Sequence, residues 1–213
     1  MKKTFSVVEV LKSAWQLFLI HKKFYIKTVL IYGLIAVAAD LLSGDKSMRL
    51  VDTILGLVST ISSWYGTFIL IKASLSLTQN KPIPTDVSSL SLMSAVYLVL
   101  ASILVACGVF LGLILFIVPG LIFAVRSSLA QYIIIDQNEK VIPAIKKSMA
   151  LTKGYFWSFA RLILCICVLG LLSMFPLFGL GFIVLIPVST IAMSLVYRKI
   201  SKMNEGSLEQ VIV

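Results

Sequence analysis

The sequence predicts an all-α integral membrane protein, a bundle of six transmembrane helices with two amphipathic interfacial helices. Of its 213 residues, 59% are hydrophobic and 13% are charged, whereas soluble domains average about 45–50% apolar and about 25% charged residues. The apolar residues are concentrated in long runs, since residues 92–135 carry a single charge and residues 162–197 carry none. Runs of about 18 or more apolar residues predict membrane-spanning helices.

Six such runs define the predicted spans, and together they predict one polytopic membrane domain over residues 1–213. The predicted spans are residues 24–42, 50–77, 91–118, 119–135, 156–175 and 180–197. The Pro119-Gly120 pair is of the kind that breaks helices, so we expect the chain to reverse there between the third and the fourth span.

Two further segments predict amphipathic helices. The apolar face of residues 5–20 is predicted at Val7, Leu11, Trp15 and Phe18. The apolar face of residues 138–154 is predicted at Val141, Ile142, Ile145 and Met149. Such helices suit a membrane interface, although the first fits equally well as a cytoplasmic helix that packs on the bundle. Their basic residues are candidate contacts for anionic lipid headgroups: Lys22, Lys23, Lys146, Lys147 and Lys153.

The distribution of lysine and arginine predicts the orientation of the chain. With six spans, only Lys46 and Arg49 fall in a loop on the side opposite the termini. Because basic loops stay in the cytoplasm, we expect both termini to be cytoplasmic. The net charge of +10 is then explained by the lysines and arginines that keep these loops in the cytoplasm. The basic loops have no nucleic-acid-binding motif, so the expected partners are membrane lipids and membrane proteins, not nucleic acids.

Arg126 is the one charge within the run 92–135. It would lie ~10 Å below the outer end of the fourth span, where exposure of an arginine to lipid costs about 2.5–3.5 kcal/mol. We therefore expect the polar side of this span, with Ser127 and Gln131, to face the bundle interior. The guanidinium could pair with a lipid phosphate or with hydroxyls of neighbouring spans, for which the candidates are Ser62, Ser63, Thr67 and Tyr97. A structural polar network and a site for a lipid headgroup or a translocated anion are both consistent with this pattern.

The segments VPGLIFAVRSSLAQYIIIDQ and VIPAIKKSMALTKGYFWSFARLIL carry a family resemblance. They resemble the membrane domain fused to some bacterial glycerophosphoryl diester phosphodiesterases and the stand-alone membrane relatives of that domain. The matching residues are Pro119, Gly120, Ala124, Arg126, Ala144, Ser148, Leu151, Thr152, Gly154, Phe156 and Trp157. The resemblance implies a membrane fold and a location in a bacterial cytoplasmic membrane. It does not imply phosphodiesterase activity, because in the fused proteins that activity belongs to a separate soluble barrel.

The chain has few residues for catalysis or cofactor binding. His21 is the single histidine, the nine acidic residues are scattered, and Cys107, Cys165 and Cys167 have neither disulfide nor zinc spacing. We therefore expect no enzyme activity, no metal and no cofactor. The predicted function is a non-enzymatic membrane protein that organises lipids or partner proteins. The alternative is a small transporter or flippase-like protein with a polar cavity at the fourth span.

Overall fold

The computed structural model describes residues 5–42, 49–79, 81–83, 92–174 and 181–212. All regular structure in these ranges is α-helical. The helices are α1 (Val7–Leu42), α2 (Arg49–Thr78), α3 (Leu92–Leu115), α4 (Ile117–Ser127), α5 (Ala130–Gln137), α6 (Val141–Thr152), α7 (Phe156–Met174) and α8 (Gly181–Ile212). The predicted loop that carries Lys46 lies outside the described residues, as do residues 175–180 between α7 and α8.

Within the described ranges, five helical segments are long and apolar enough to cross a membrane. They are Leu50–Thr78, Met93–Ile114, Val118–Gln137, Phe156–Ser173 and Gly181–Met203. They correspond to the second through sixth predicted spans, so the chain is a multi-pass membrane protein by length and composition. Residues 24–42, the first predicted span, are not among these five. The count of six spans therefore stays a prediction.

Helix α1 joins the predicted amphipathic segment to the first predicted span. The two parts meet at His21, which has non-helical backbone angles (φ −108°, ψ 19°). Just before α1, Phe5 packs on the bundle: its backbone N–H donates to Ser158 Oγ (3.4 Å) and its ring meets Phe159 edge-on. Of the predicted apolar face Phe18 is buried, Val7 and Leu11 are partly buried against the core, and Trp15 is 45% exposed. The buried residues of this part of α1 are Val10, Ala14 and Phe18.

The fourth predicted span, residues 119–135, consists of two helices, α4 and α5, that meet at residues 128–129. The predicted chain reversal at Pro119-Gly120 is wrong by a few residues, because the chain turns at Phe116, which is extended (φ −162°, ψ 141°). Pro119 is the third residue of α4. A proline is tolerated there because the first backbone N–H groups of a helix need no intrahelical acceptor.

Helices α3 and α4 form a tight antiparallel pair that is built on glycines. A β-carbon on Gly112 would lie 2.6 Å from Gly120 Cα, and one on Gly120 would lie 2.7 Å from Leu113 N. A β-carbon on Gly108 would lie 2.5 Å from the ring of Phe123. The backbones therefore approach as closely as only glycine permits, as small residues commonly allow between membrane helices.

The remaining helices pack around one buried cluster. Helix α1 packs against α2 and α8, α8 also packs against α2 and α7, and α5 packs against α2 and α3. Tyr25, Ile133, Phe159 and Ile191 are among the wholly buried residues at its centre. Tyr25 Oη is 3.1 Å from Ser74 Oγ, so the hydroxyl buried with this ring has a hydrogen-bond partner on α2.

Helix α6 belongs to the bundle as well. It packs against α3, α4 and α5. Of the predicted apolar face Ile145 is buried and Val141 and Met149 are partly buried, so only Ile142, which is 60% exposed, contradicts the prediction. The residues that α6 buries are mostly small or polar: Ala144, Ile145, Ser148, Leu151 and Thr152. Small residues let α6 lie close to α4 and α5, and the opposite face carries the lysines.

Candidate functional site

Arg126 lies next to the junction of α4 and α5, where hydroxyls of α6 replace helical hydrogen bonds. Ser148 Oγ donates to the Arg126 carbonyl (2.7 Å) and accepts from the Leu129 N–H (3.2 Å). Thr152 Oγ1 also reaches the Arg126 carbonyl at 3.4 Å. A side chain that enters the hydrogen-bond ladder of a helix is a known cause of a kink. Ser148 therefore holds the junction in place from a neighbouring helix.

The sequence of α4 favours an irregularity at this point. Ser127 Oγ donates to the Phe123 carbonyl and Ser128 Oγ to the Val125 carbonyl, each at 2.8 Å. Serine hydroxyls that bond backwards to carbonyls one turn earlier weaken and bend helices. Two consecutive serines thus loosen the turn that Ser148 then stabilises.

The side chain of Arg126 does not have the partners that we expected. The residue is half-buried, and its Nε atom is buried without a hydrogen-bond partner among the described residues. The hydroxyl of Ser62 donates instead to the Tyr32 carbonyl (3.1 Å). Those of Ser63 and Thr67 donate to carbonyls one turn earlier on α2. The expectation that Ser62, Ser63 and Thr67 pair with Arg126 is therefore wrong.

The other two residues of the predicted polar side, Ser127 and Gln131, do not converge with Arg126 on a common site. Ser127 is 3% exposed, and its hydroxyl donates a hydrogen bond to a carbonyl of its own helix. Gln131 Nε2 donates to Ser102 Oγ on α3 (3.0 Å). Ser127 therefore bonds within α4 and Gln131 bonds across to α3, and no described hydrogen bond joins either side chain to that of Arg126.

Several of the residues that carry the family resemblance lie at this same junction. Ala144, Ser148 and Thr152 are wholly buried where α6 meets α4 and α5. Gly154 has a positive φ of 98° between α6 and α7, a conformation that favours glycine. In this chain the motif therefore has a packing role that its backbone contacts explain.

A second polar network, which the sequence did not reveal, joins α2, α5, α6 and α8. The Asp136 carboxylate accepts from Gln79 Nε2 (2.6 Å) and from Tyr197 Oη (2.9 Å). Gln137 Nε2 donates to Tyr197 Oη (3.0 Å), and the ammonium of Lys147 donates to Gln137 Oε1. In the sequence these side chains are recognisable only as polar residues near helix ends, and that pattern does not predict which residues they contact. They are Gln79, Asp136 and Gln137.

We expect Tyr197→Phe to lower the free energy of unfolding by about 1.5–3 kcal/mol, because it removes a partly buried hydrogen bond to a carboxylate. Denaturant titration of the detergent-purified protein measures this. Tyr65→Phe is the matched control, since the Tyr65 hydroxyl has no described hydrogen bond, and it should change the stability by less than about 0.5 kcal/mol. Equal effects of the two variants would contradict a stabilising role for the network.

The predicted headgroup contacts lie on exposed surfaces of α1 and α6. Lys22, Lys23, Lys146 and Lys153 are exposed and form no hydrogen bond or ion pair with the described residues. Lys147 differs, because besides its bond to Gln137 its ammonium lies 4.0 Å from Glu139 Oε1. Four of the five lysines are therefore free to meet an anion, while Lys147 is partly engaged within the protein.

The basic surface of α1 adjoins exposed apolar side chains. The exposed fraction is 75% for Val8 and 71% for Ile20, and Trp15 and Leu19 are each 45% exposed. Lys12, Lys22 and Lys23 are exposed on the same part of the helix. A helix that exposes both kinds of side chain suits the boundary between lipid headgroups and acyl chains.

Three grooves run along the described helices, and none of these three is lined by Arg126. One of about 240 Å³ lies between α2 and α3 beside Trp64 and Phe68. One of about 180 Å³ lies among α1, α2 and α8 beside Tyr32 and Thr67. The third, which we call the α1 groove, is an open trough of about 670 Å³ along α1. It is lined by one row of side chains, Lys22, Ile26, Leu30 and Leu34, and by a second row, Lys23, Lys27 and Ile31.

Comparison with known proteins identified no relative: no family model matches the chain, and neither a curated protein nor a solved structure is similar to it.

Proposed function

We propose that this chain is a non-enzymatic, multi-pass protein of a bacterial cytoplasmic membrane that binds anionic lipids and thereby organises lipids or partner proteins. Both termini are cytoplasmic in this proposal, which follows from the excess of lysine and arginine on their side. The observation that carries it is the exposure of cations and large apolar side chains side by side on α1.

The physical argument rests on what each kind of side chain gains at a membrane surface. Val8 and Ile20 are among the most exposed apolar side chains of the chain, and burial in lipid favours each by about 1.5–3 kcal/mol. A cation near an anionic surface adds about 1 kcal/mol. Lys12, Lys22 and Lys23 on α1, with Lys146 and Lys153 on α6, supply such cations. The combined surface prefers anionic over zwitterionic lipid.

Extraction of the full-length protein in polymer-bounded bilayer discs tests this function. We expect the discs to contain a higher fraction of phosphatidylglycerol than the membrane from which they were taken. Extraction in 1 M salt should reduce the enrichment, because the screening length falls to about 3 Å. The double variant Lys146→Gln/Lys153→Gln should reduce it as well. Lipid mass spectrometry is the measurement, and discs with the bulk lipid composition would refute the proposal.

A small transporter or flippase is the second candidate, and the α4–α5 junction is what favours it. An interruption of helical hydrogen bonding at membrane depth is tolerated where it is buried in protein or lines a cavity, and here it adjoins an arginine whose Nε has no described partner. In this alternative Arg126 would bind an anionic group during its passage.

Cysteine accessibility distinguishes the two candidates. Arg126→Cys would be placed on a background in which Cys107, Cys165 and Cys167 are alanine. The lipid-binding proposal expects no reaction with a membrane-impermeant thiol reagent added to sealed vesicles of either orientation. Rapid labelling would reveal an aqueous path to this position and would favour the transporter.

A further inference from the structure

We propose that the α1 groove binds one anionic phospholipid, with its headgroup phosphate at Lys22, Lys23 and Lys27 and one acyl chain along Leu30, Ile31 and Leu34. This inference rests on the proposed function, because it assumes the same membrane and the same orientation. The proposed function needs only a basic surface that attracts many anionic lipids. This inference adds a defined site that binds one lipid molecule.

The spacing of the lining residues creates the trough. Residues four apart on a helix lie above one another, so Lys22, Ile26, Leu30 and Leu34 form one ridge along α1. Lys23, Lys27 and Ile31 form the neighbouring ridge. Twelve residues separate the two ends of the first ridge, which makes the trough ~18 Å long at 1.5 Å per residue. That length is close to one leaflet of a hydrocarbon layer about 30 Å thick.

The chemistry changes along this length in the order in which it changes along a phospholipid. Lys22, Lys23 and Lys27 are exposed at one end, and none of them forms a hydrogen bond or an ion pair within the described ranges. At the other end Leu30 is 40% exposed and Leu34 is 63% exposed. Three free ammonium groups suit a phosphate, which lysine binds as a point charge. The exposed aliphatic side chains suit an acyl chain.

Charge complementarity selects a lipid over the other occupants. A second copy of this chain would bring the same cluster of lysines to the trough, and like charges repel. A water-soluble phosphate would leave Leu30, Ile31 and Leu34 uncovered. An anionic phospholipid satisfies both ends of the groove with one molecule.

Native mass spectrometry of the full-length protein in detergent tests the proposal. The probes are phosphatidylglycerol, phosphatidylcholine and glycerol 1-phosphate. We expect one phosphatidylglycerol to remain on each chain at concentrations at which neither of the other two is retained. Retention of glycerol 1-phosphate with equal affinity, or a mass of two chains with no bound lipid, would overturn the proposed occupant.

Matched variants test the position of the site. Lys22→Gln/Lys23→Gln/Lys27→Gln should lower the affinity for phosphatidylglycerol at least about tenfold. The corresponding triple arginine variant should keep the affinity of the unchanged protein. The control triple, at Lys81, Lys199 and Lys202, removes the same charge from exposed lysines outside the groove and should have little effect. Equal losses in the two glutamine triples would overturn the groove while leaving the enrichment in discs, and hence the proposed function, intact.

The apolar end has its own matched pair of variants. Ile31→Trp would place a bulky ring at the apolar end of the trough and should displace the acyl chain there, which lowers the occupancy severalfold. Ile35 lies one turn further along α1, is 43% exposed against 44% for Ile31, and is not part of the groove lining. Ile35→Trp should therefore retain the lipid. Equal occupancy in the two tryptophan variants would refute the acyl-chain assignment.

Discussion

Replacement of Gly120 by alanine should destabilise the protein by about 3 kcal/mol, the upper part of the range for overpacked sites. The new β-carbon would lie 2.7 Å from Leu113 N and 2.9 Å from the Gly112 carbonyl carbon. Both are backbone atoms, so no side-chain rotation relieves the contact, and α3 and α4 must move apart. Unfolding of the detergent-purified protein in sodium dodecyl sulfate, followed by circular dichroism, measures the loss.

Gly56→Ala is the control for this variant. A β-carbon on Gly56 meets nothing within 4 Å, so the change should be neutral or slightly stabilising because alanine favours a helix over glycine. Gly112→Ala should resemble Gly120→Ala, because each of the two β-carbons would fill the same gap. The double variant should then cost less than the sum of the single effects. A Gly120→Ala protein as stable as Gly56→Ala would refute the close contact of α3 with α4.

Five of the six predicted spans match helical segments that are long and apolar enough to cross a membrane, because each apolar residue of a run lowers the insertion free energy independently of its neighbours. The buried faces of the two amphipathic segments were predicted only in part. The prediction assigned large apolar residues to these faces, whereas small residues also pack between helices. Ala14 and Ala144 are wholly buried, while Trp15 and Ile142 are exposed.

The polar contacts were predicted less well than the helices. A serine or threonine in a helix has a carbonyl acceptor one turn earlier on its own chain. Ser63 and Thr67 use that acceptor and do not reach Arg126. The contacts of Ser148 with α4 and of Tyr197 with Asp136 join residues far apart in sequence, and one sequence carries no record of such pairs. The exposure of the lysines, by contrast, follows from the cost of burying an unpaired charge.

Replacement of Ser148 by alanine should cost about 2–5 kcal/mol, nearly as much as a large cavity in the core. Ser148 Oγ is wholly buried, donates to the Arg126 carbonyl and accepts from the Leu129 N–H. Alanine would leave two backbone groups without this partner, and each buried group left unsatisfied costs about 1–3 kcal/mol. Thr152 Oγ1 already lies 3.4 Å from the Arg126 carbonyl and offsets part of that loss. The Leu129 N–H has no comparable substitute among the described contacts, so its loss dominates.

The same unfolding titration measures the effect. Ser63→Ala is the control, because Ser63 is exposed and bonds only its own helix, and it should cost less than about 0.5 kcal/mol. If the Ser148→Ala protein is no less stable than this control, the junction of α4 and α5 does not depend on α6, and the packing role assigned to the motif residues fails with it.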